Sequence, residues 1–317
     1  MSKLSKIVAL ASSALLVWAG AACAQSSDVF TLIVPFPPGG GSDTIARNLQ
    51  PELSAGLART VIIENVPGAG GSIGARKALA GEPPGSAMIA TIDTVHLTPL
   101  SMAGAKYKGE DFRVVSALSS SRYVLVARPS FSMDLAQLMK YQGTLSYGIL
   151  GPGSIYRLAM EDFKARTGIK ANPVPYKGGP QMITDLIGGF VDLAFLPMAG
   201  PTASMIAQGK LKPLAVASAD RLPSLPDVPT VREVLKVNFE YSAWAAVFVP
   251  KSIPEATVER LHNILEQAKA TPAFKKFTEG TGASVIAPMT LKEGNAFYAA
   301  EMARYSALAR AIKLEPV

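Results

Sequence analysis

Cysteine and histidine are scarce in this chain of 317 residues, which has one cysteine, Cys23, and two histidines, His96 and His262. Because Cys23 lies in a segment that we expect to be removed, no disulfide framework, thiolate nucleophile or cysteine-ligated metal is available. The two histidines are far apart, and no calcium-loop pattern of acidic residues occurs. The composition therefore predicts no bound metal and no cofactor.

Long apolar runs are also missing beyond the N-terminus, so we expect a chain that does not span a membrane. The first residues have the features of an export signal: two lysines, an apolar core and the cleavage pattern Ala22-Cys-Ala24. We therefore predict a signal peptide over residues 1–24, cleaved after Ala24, and a periplasmic mature protein. A lipid anchor on Cys23 is the less favoured alternative, because the residues before it make a poor lipobox.

Charge of either sign is modest. Asp, Glu, Lys and Arg make up 17% of the chain, and the net charge is +7. Loss of Lys3 and Lys6 with the signal peptide lowers it by two, to +5. The basic residues form no run and are not interleaved with aromatic residues, as nucleic-acid-binding surfaces often are. The sequence therefore favours a small anionic molecule over nucleic acid as the binding partner.

Short β-type runs alternate with amphipathic helical segments along most of the chain. This alternation predicts an α/β fold with mostly parallel strands. The predicted strands are 31–34, 61–64, 88–91, 123–127, 145–147, 191–195, 213–217 and 245–249. The predicted helices are 43–57, 135–141, 155–166, 180–187 and 199–208, with a long C-terminal helix opened by a capping box at Thr290.

A mature chain of this length divides more naturally into two lobes than into one. No repeat or low-complexity linker separates two halves, which indicates that the chain crosses between the lobes more than once. The extended segments 124–129 and 240–249 are the candidate crossings. We therefore predict one lobe made of residues 26–125 plus 245–317 and a second lobe made of residues 126–244.

The first glycine loop, residues 35–42, follows the predicted strand 31–34 and contains three prolines and three glycines. Consecutive glycines can aim successive backbone N–H groups at one point, and Ser42 or Asp43 is placed to cap the helix that follows. A carboxylate or phosphate binds at such a helix start without a charged side chain. A glycine-rich connection that serves only folding is the alternative. The predicted ligand contacts in this loop are Phe36, Pro38, Gly39, Gly40, Gly41 and Ser42.

The second glycine loop, residues 148–154, repeats this chemistry in the other predicted lobe. A strand-like run precedes it, and Ser154 is placed to cap the next helix. Two helix starts, one in each lobe, can face a single ligand in the cleft between them. We predict ligand contacts from Gly151, Gly153 and Ser154, with two ordinary strand–helix turns as the alternative.

Five segments carry a family resemblance. In chain order they read VPFPPGGGSDTIAR (34–47), VIIENVPGAGGSIGA (61–75), VPYKGG (174–179), GGFVD (188–192) and LPDVPT (225–230). Together they resemble the ordered motifs of the Bug-type solute-binding proteins, the periplasmic receptors of tripartite tricarboxylate transporters. The resemblance covers essentially the whole mature chain. It implies a periplasmic-binding-protein architecture of the Venus flytrap, type II-like kind, in which loop backbone groups and ordered water hold the carboxylate of an organic acid.

The departures from the family pattern bear on the ligand. Tyr156 and Arg157 stand where relatives commonly carry His, and Arg157 is either a bidentate partner for a second carboxylate or a surface residue. The loop after strand 88–91 contains Asp93 where relatives are rich in Thr, Ser and Gly. Asp93 either favours a ligand with an amine or hydroxyl donor or only caps its own loop. Thr91, Asp93, Thr94, Tyr156 and Arg157 complete the predicted site.

One pattern is typical of an enzyme. Residues 70–74 match the G-x-S-x-G nucleophile elbow around Ser72. The elbow requires the serine directly after a strand and a histidine late in the chain, but a loop precedes Ser72 and His96 comes too early. An exported hydrolase-like enzyme is therefore the less favoured alternative, and we predict no catalytic residues.

The predicted function is capture of a small carboxylate in the periplasm and its delivery to the membrane subunits of a transporter, by a monomeric receptor. A receptor that feeds a signalling sensor is a further alternative. The motifs do not distinguish a transporter from a signalling sensor as the membrane partner, and they do not identify the carboxylate.

Overall fold

The structure is a computed structural model that describes residues 29–81 and 85–313. The predicted signal peptide lies outside these residues. The strands are β1 (Val29–Val34), β2 (Thr60–Asn65), β3 (Ala87–Thr91), β4 (Phe112–Ala127), β5 (Thr144–Ile149), β6 (Lys170–Pro175), β7 (Leu193–Pro197), β8 (Lys212–Ala217), β9 (Ser242–Pro250) and β10 (Ser284–Val285).

The helices alternate with these strands over much of the chain. They are α1 (Gly41–Leu57), α2 (Ser72–Ala80), α3 (Thr98–Ser101), α4 (Leu135–Lys140), α5 (Ile155–Thr167), α6 (Gly179–Gly188), α7 (Thr202–Ala207), α8 (Val231–Leu235), α9 (Glu255–Ala270), α10 (Pro272–Gly280) and α11 (Leu291–Ala311). A π-helical turn, Asp93–Leu97, follows β3. The five helices for which the sequence predicts both ends are all present, with ends that differ by up to three residues.

Two sheets form the two lobes. In the first, β1 pairs in parallel with β2 and β3, while β3 and the first part of β4 both pair antiparallel with β9. In the second, β5 pairs in parallel with β6 and β7, while β7 and β8 both pair antiparallel with the last part of β4. The sheets are therefore mixed, and the prediction of mostly parallel strands is wrong because the shared strands return antiparallel.

Strand β4 joins the two lobes. It pairs with β9 up to Arg122 and with β7 and β8 from Tyr123 onward. The returning chain changes partners at the same level: the Tyr241 N–H donates to the Ala217 carbonyl of the second lobe, whereas Ser242 pairs with Arg122 of the first. Both crossings thus lie side by side. The lobe boundaries near residues 125 and 245 stay a prediction, a few residues from these changes of partner.

Apolar faces bury each helix against its sheet. In α1, Ile45, Leu49 and Leu53 recur at helical spacing and pack in one buried cluster with β1 and α9. In the second lobe, Phe163 of α5 lies 5.9 Å from Phe195 of β7, measured between ring centroids. Within the described residues, no helix is both long enough and apolar enough to cross a bilayer.

Candidate functional site

A cavity of about 100 Å³ lies between the two lobes. The first lobe contributes the first glycine loop, the start of α1 and the segment after β3, and the second contributes the starts of α5, α6 and α7 and the end of β7. The shared strands β4 and β9 complete the wall. The cavity is lined by Phe36, Pro37, Gly40, Gly41, Ser42, Ile45, Thr91, Asp93, Ser119, Ser121, Tyr123, Leu150, Tyr156, Gly179, Pro180, Ile183, Leu196, Pro197, Ala199, Pro201, Thr202, Ala243 and Ala245.

The first glycine loop owes its shape to Asp43. The carboxylate of Asp43 accepts hydrogen bonds from the Gly39 N–H (2.9 Å) and from the Asn65 amide (2.9 Å), and it pairs with Arg47 at 2.9 Å. Gly39 has a φ of +82°, which a side chain would strain. Burial alone would raise the pKa of Asp43, but the hydrogen bonds from Arg47, Gly39 and Asn65 outweigh it and lower the pKa.

The helix cap differs from the one we predicted. Gly40 is the N-cap of α1, with no side-chain capping bond, and the helix begins at Gly41. The prediction that Ser42 or Asp43 is the N-cap is therefore wrong, since both lie inside the first turn. Asp43 instead reaches back from that turn to hold the N–H of Gly39, which leaves the N–H groups of Gly41 and Ser42 at the helix start.

The predicted residues of the first glycine loop divide into two groups. Phe36, Gly40, Gly41 and Ser42 line the cavity, whereas Pro38 and Gly39 lie outside its lining. A negative charge at the start of a helix of seventeen residues is stabilised by the macrodipole and by unpaired N–H groups. This end of the cavity is therefore suited to an anionic group.

Asp93 reaches from the first lobe to the second. Its Oδ1 accepts hydrogen bonds from the Thr91 hydroxyl and from the Thr94 N–H, and its Oδ2 faces the Ile155 N–H of α5 at 3.4 Å. Asp93 is 4% exposed, and burial raises its pKa despite these hydrogen bonds. Thr91 and Asp93 line the cavity, whereas the side chain of Thr94 does not.

The second glycine loop packs against the first lobe. A Cβ on Gly151 would lie 3.2 Å from the Cα of Gly70, and a Cβ on Gly153 would lie 2.5 Å from the Leu97 carbonyl oxygen. The Ser154 hydroxyl caps α5 at the Arg157 N–H and donates to the Gly151 carbonyl at 2.8 Å. None of the three predicted residues of this loop lines the cavity. Leu150 of this loop does line the cavity, whereas Gly151 and Gly153 lie against the first lobe.

Tyr156 and Arg157, in the first turn of α5, point to different places. Tyr156 lines the cavity and packs edge-on against Tyr123, with ring centroids 5.4 Å apart. Arg157 does not line the cavity, and its guanidinium donates to the Pro152 carbonyl at 3.3 Å. The structure therefore brings together Phe36, Gly40, Gly41, Ser42, Thr91, Asp93 and Tyr156 and leaves the other seven predicted residues outside the lining.

Several lining residues were missed by sequence reasoning. Ser119, Ser121 and Tyr123 alternate along β4, and successive odd residues of a strand share one face. This spacing was a usable signal, but the strand start itself went unpredicted. Gly179 and Thr202 are the first residues of α6 and α7. No sequence pattern near them predicts that these helix starts meet the first glycine loop.

The polar lining consists of hydroxyl groups and a single carboxylate. Ser42, Ser119, Ser121 and Thr202 bring hydroxyl groups to the lining, and among the described residues no lysine, arginine or histidine lines the cavity. The described part of the chain contains no cluster of His, Cys, Asp or Glu that could hold a metal. The site can therefore bind an anion through neutral donors, that is, through backbone N–H groups and hydroxyls.

The family of this chain follows from a match to a known family model. The family model described as "Tripartite tricarboxylate transporter family receptor" matches residues 45–314. The chain belongs to this receptor family.

The similarity to individual relatives extends along nearly the whole chain. Protein BugT of Bordetella pertussis is 32% identical over 307 residues, which cover 92% of this chain and 93% of BugT. The structure of the periplasmic binding protein BugD has a TM-score of 0.83 at 27% identity and covers 91% of this chain and 99% of BugD. The R. palustris protein Rpa4515 with adipate has a TM-score of 0.85 at 26% identity, covering 92% and 100% of the two chains.

The family consists of solute-binding receptors, which are not enzymes. The serine and histidine side chains that a hydrolase would need do not lie together in this structure. The His96 imidazole bonds to the Ser306 hydroxyl at 2.7 Å, and the His262 imidazole bonds to the Val115 carbonyl. Ser72 is buried at the start of α2 and does not line the cavity. The two-lobe receptor fold predicted from the sequence is confirmed.

Proposed function

We propose that this receptor binds a small organic carboxylate in the cavity between its lobes. The observation that carries the proposal is the start of α1, where Gly41 and Ser42 line a cavity that also exposes the hydroxyls of Ser119, Ser121 and Thr202. Backbone N–H groups and hydroxyls are donors, and a carboxylate is a pure acceptor. The relative Rpa4515, solved with adipate, supports the same chemistry.

Closure of the lobes completes the site in this proposal. A Cβ on Gly178 would lie 2.7 Å from the Pro37 ring, and a Cβ on Gly200 would lie 3.6 Å from the Cα of Gly41. The first glycine loop therefore touches the second lobe directly on the rim of the cavity. A ligand that entered the open cleft would gain donors from both lobes and lose contact with water as they close.

We further propose that the mature protein works in the periplasm as a monomer and delivers its ligand to the membrane subunits of a tripartite tricarboxylate-type transporter. The family description supports the transporter partner, and the periplasmic relative BugD supports the location. The second candidate is delivery to a signalling sensor. The two candidates differ in which membrane protein binds the closed form of the receptor, the transporter or the sensor.

A thermal-shift screen tests the binding proposal. Protein refolded free of endogenous ligand is heated with mono-, di-, tri- and aromatic carboxylates. A ligand at about a hundredfold excess over its Kd stabilises the folded state by roughly 2.7 kcal/mol. We expect one acid class to raise the Tm with no consumption of the acid, whereas turnover would support the enzyme alternative.

A pair of variants locates the binding event. Ser42→Phe places a ring in the cavity and should abolish the shift. Ser130→Phe, in the exposed turn after β4, should preserve it. A flat response to all acids in the wild-type protein, or an undiminished shift in Ser42→Phe, would contradict the proposed site.

A further inference from the structure

One edge of the second lobe carries exposed aromatic residues that take no part in the ligand site. Phe190, in the turn between α6 and β7, is 80% exposed, and Tyr141, which follows α4, is 40% exposed. Neither residue lines the cavity. Phe190 belongs to the GGFVD segment (188–192), whose role the binding of a carboxylate does not explain.

The strand register places basic residues beside these aromatic residues. Phe190 comes three residues before Leu193, which pairs in parallel with Tyr147 of β5, so Phe190 reaches the level of Thr144. Thr144 in turn pairs with Lys170, the first residue of β6. A cation therefore lies on the β6 side of Phe190, at the same end of the sheet.

The other side of β7 is also basic. Leu193 pairs with Ala127 at the end of β4, and Ala127 pairs with Lys212, the first residue of β8. Lys210 lies two residues before Lys212 and so extends past the strand ends. Lys140 is the last residue of α4, shortly before β5 begins. We call this row the outer edge, and its members are Lys140, Tyr141, Lys170, Phe190 and Lys210.

The charge of the outer edge is positive. Its three lysines are exposed, and none of them forms an ion pair among the described residues. Two acidic side chains at the same strand ends are already engaged. Asp192 pairs with Arg128 at 3.1 Å, and Asp134 is bonded to the start of α4. The lysines therefore remain available to an anionic partner.

An anionic lipid surface matches this combination of side chains. Lipid phosphates attract exposed lysines, and an aromatic ring can enter the interface between headgroups. Lysine stems can lie along the same surface while their amines reach the phosphates. A protein partner is typically bound through an apolar centre that a polar rim surrounds, whereas here the rings stand between separate lysines.

Docking through the outer edge leaves the ligand site free. The cavity is lined by Leu196 and Pro197 at the opposite end of β7 and by Leu150 after β5. A strand of five residues spans about 16 Å, so a membrane on the outer edge would not cover the cavity.

We infer that the outer edge is a membrane-docking surface, which holds the receptor on an anionic phospholipid bilayer through its lysines and Phe190. The inference goes beyond the proposed function and does not depend on the identity of the carboxylate. It keeps the receptor close to the membrane subunits that take over its ligand.

Co-sedimentation of the full mature protein with lipid vesicles tests this inference. The vesicles contain either phosphatidylcholine alone or equal parts of phosphatidylcholine and the anionic phosphatidylglycerol. We expect the anionic vesicles to bind the protein about tenfold or more tightly than the neutral vesicles, and added salt to weaken this binding.

Two triple variants locate the contact. Replacement of the three lysines of the outer edge by alanine should lower the affinity for anionic vesicles by about tenfold or more. The control removes the same total charge from exposed lysines of the first lobe that form no ion pair among the described residues, and it should bind like the wild type. It combines Lys275→Ala, Lys276→Ala and Lys292→Ala.

A fluorescent substitution tests the insertion of the aromatic ring. Phe190→Trp should shift its emission to shorter wavelength when anionic vesicles are added, because the indole leaves water. Ile62→Trp, at a site that is 44% exposed on β2 of the first lobe, should keep its emission. Trp244 is 1% exposed and contributes a constant background.

The outcomes separate this inference from the proposed function. Absence of binding to anionic vesicles, or equal losses in the two triple variants, overturns the inference. An unshifted emission of Phe190→Trp overturns it as well. Binding of the outer edge to soluble polyglutamate but not to vesicles overturns it in favour of an acidic polypeptide partner. Calorimetry with carboxylates in the absence of vesicles tests the proposed function by itself.

Discussion

Asp43 shows how a carboxylate can shape an anion site without belonging to it. Its side chain is 2% exposed and accepts hydrogen bonds from Gly39, Arg47 and Asn65, so its charge is satisfied locally. We expect Asp43→Ala to lower the free energy of unfolding by about 2–3 kcal/mol, because a buried network loses its acceptor. Arg47→Ala should cost about 0.5 kcal/mol or less, since Arg47 is half exposed. Urea denaturation of both variants checks this, and equal losses would contradict it.

Asp93, unlike Asp43, makes the folded state less stable when it is ionised. Its pKa is raised by burial, so the folded state holds the proton more tightly than the unfolded state does. The groups that face it are Thr91, Thr94, the Ile155 N–H, Tyr107, Tyr123 and Tyr156, none of them cationic. The stability that this group contributes is present at low pH and is lost as the pH rises through its raised pKa.

Asp93→Asn should therefore raise the Tm of the ligand-free protein at pH 7, and the gain should shrink as the pH falls toward about 4. Thermal unfolding at both pH values measures this, with Asp185→Asn as control. A variant less stable than wild type at pH 7 would show that the hydrogen bonds of Asp93 outweigh its burial.

Among the secondary-structure elements, the second glycine loop matters for closure. A Cβ on Gly153 would meet the Leu97 carbonyl and the Thr98 Cα, both 2.5 Å away and both backbone. Gly153→Ala should therefore hold the lobes apart and weaken ligand binding by about tenfold or more. Gly104→Ala, where the added Cβ has no neighbour within 4 Å, should bind normally. Calorimetry on both variants tests this, and unchanged affinity in Gly153→Ala would contradict the role in closure.

The elements also show which parts of the fold could be predicted. Helix α1 was predicted because Ile45, Leu49 and Leu53 recur at helical spacing on one buried face. The first part of β4 was missed because the polar run at 119–122 interrupts its apolar pattern. Strand β6 was missed because it contains Pro173 and Pro175, which are tolerated because β6 lies at the edge of its sheet.

Across the whole molecule, only part of the site comes from a single stretch of the sequence. Phe36, Gly40, Gly41 and Ser42 come from one loop and could be predicted together. The other walls come from β4 and from the starts of α6 and α7, which reach the cavity only when the two lobes meet. Thr202 could therefore not be placed in the site from local patterns, and Ser119 could be placed only once the first part of β4 was known to be a strand.

In the proposed function, one small carboxylate binds between the two lobes. Isothermal titration calorimetry of the ligand-free mature protein with the carboxylate panel tests it most directly. We predict saturable binding of one acid class with one site per chain, and loss of that binding in Ser42→Phe but not in Ser130→Phe. Absence of binding by every acid, or equal binding by Ser42→Phe, would contradict a carboxylate site between the lobes.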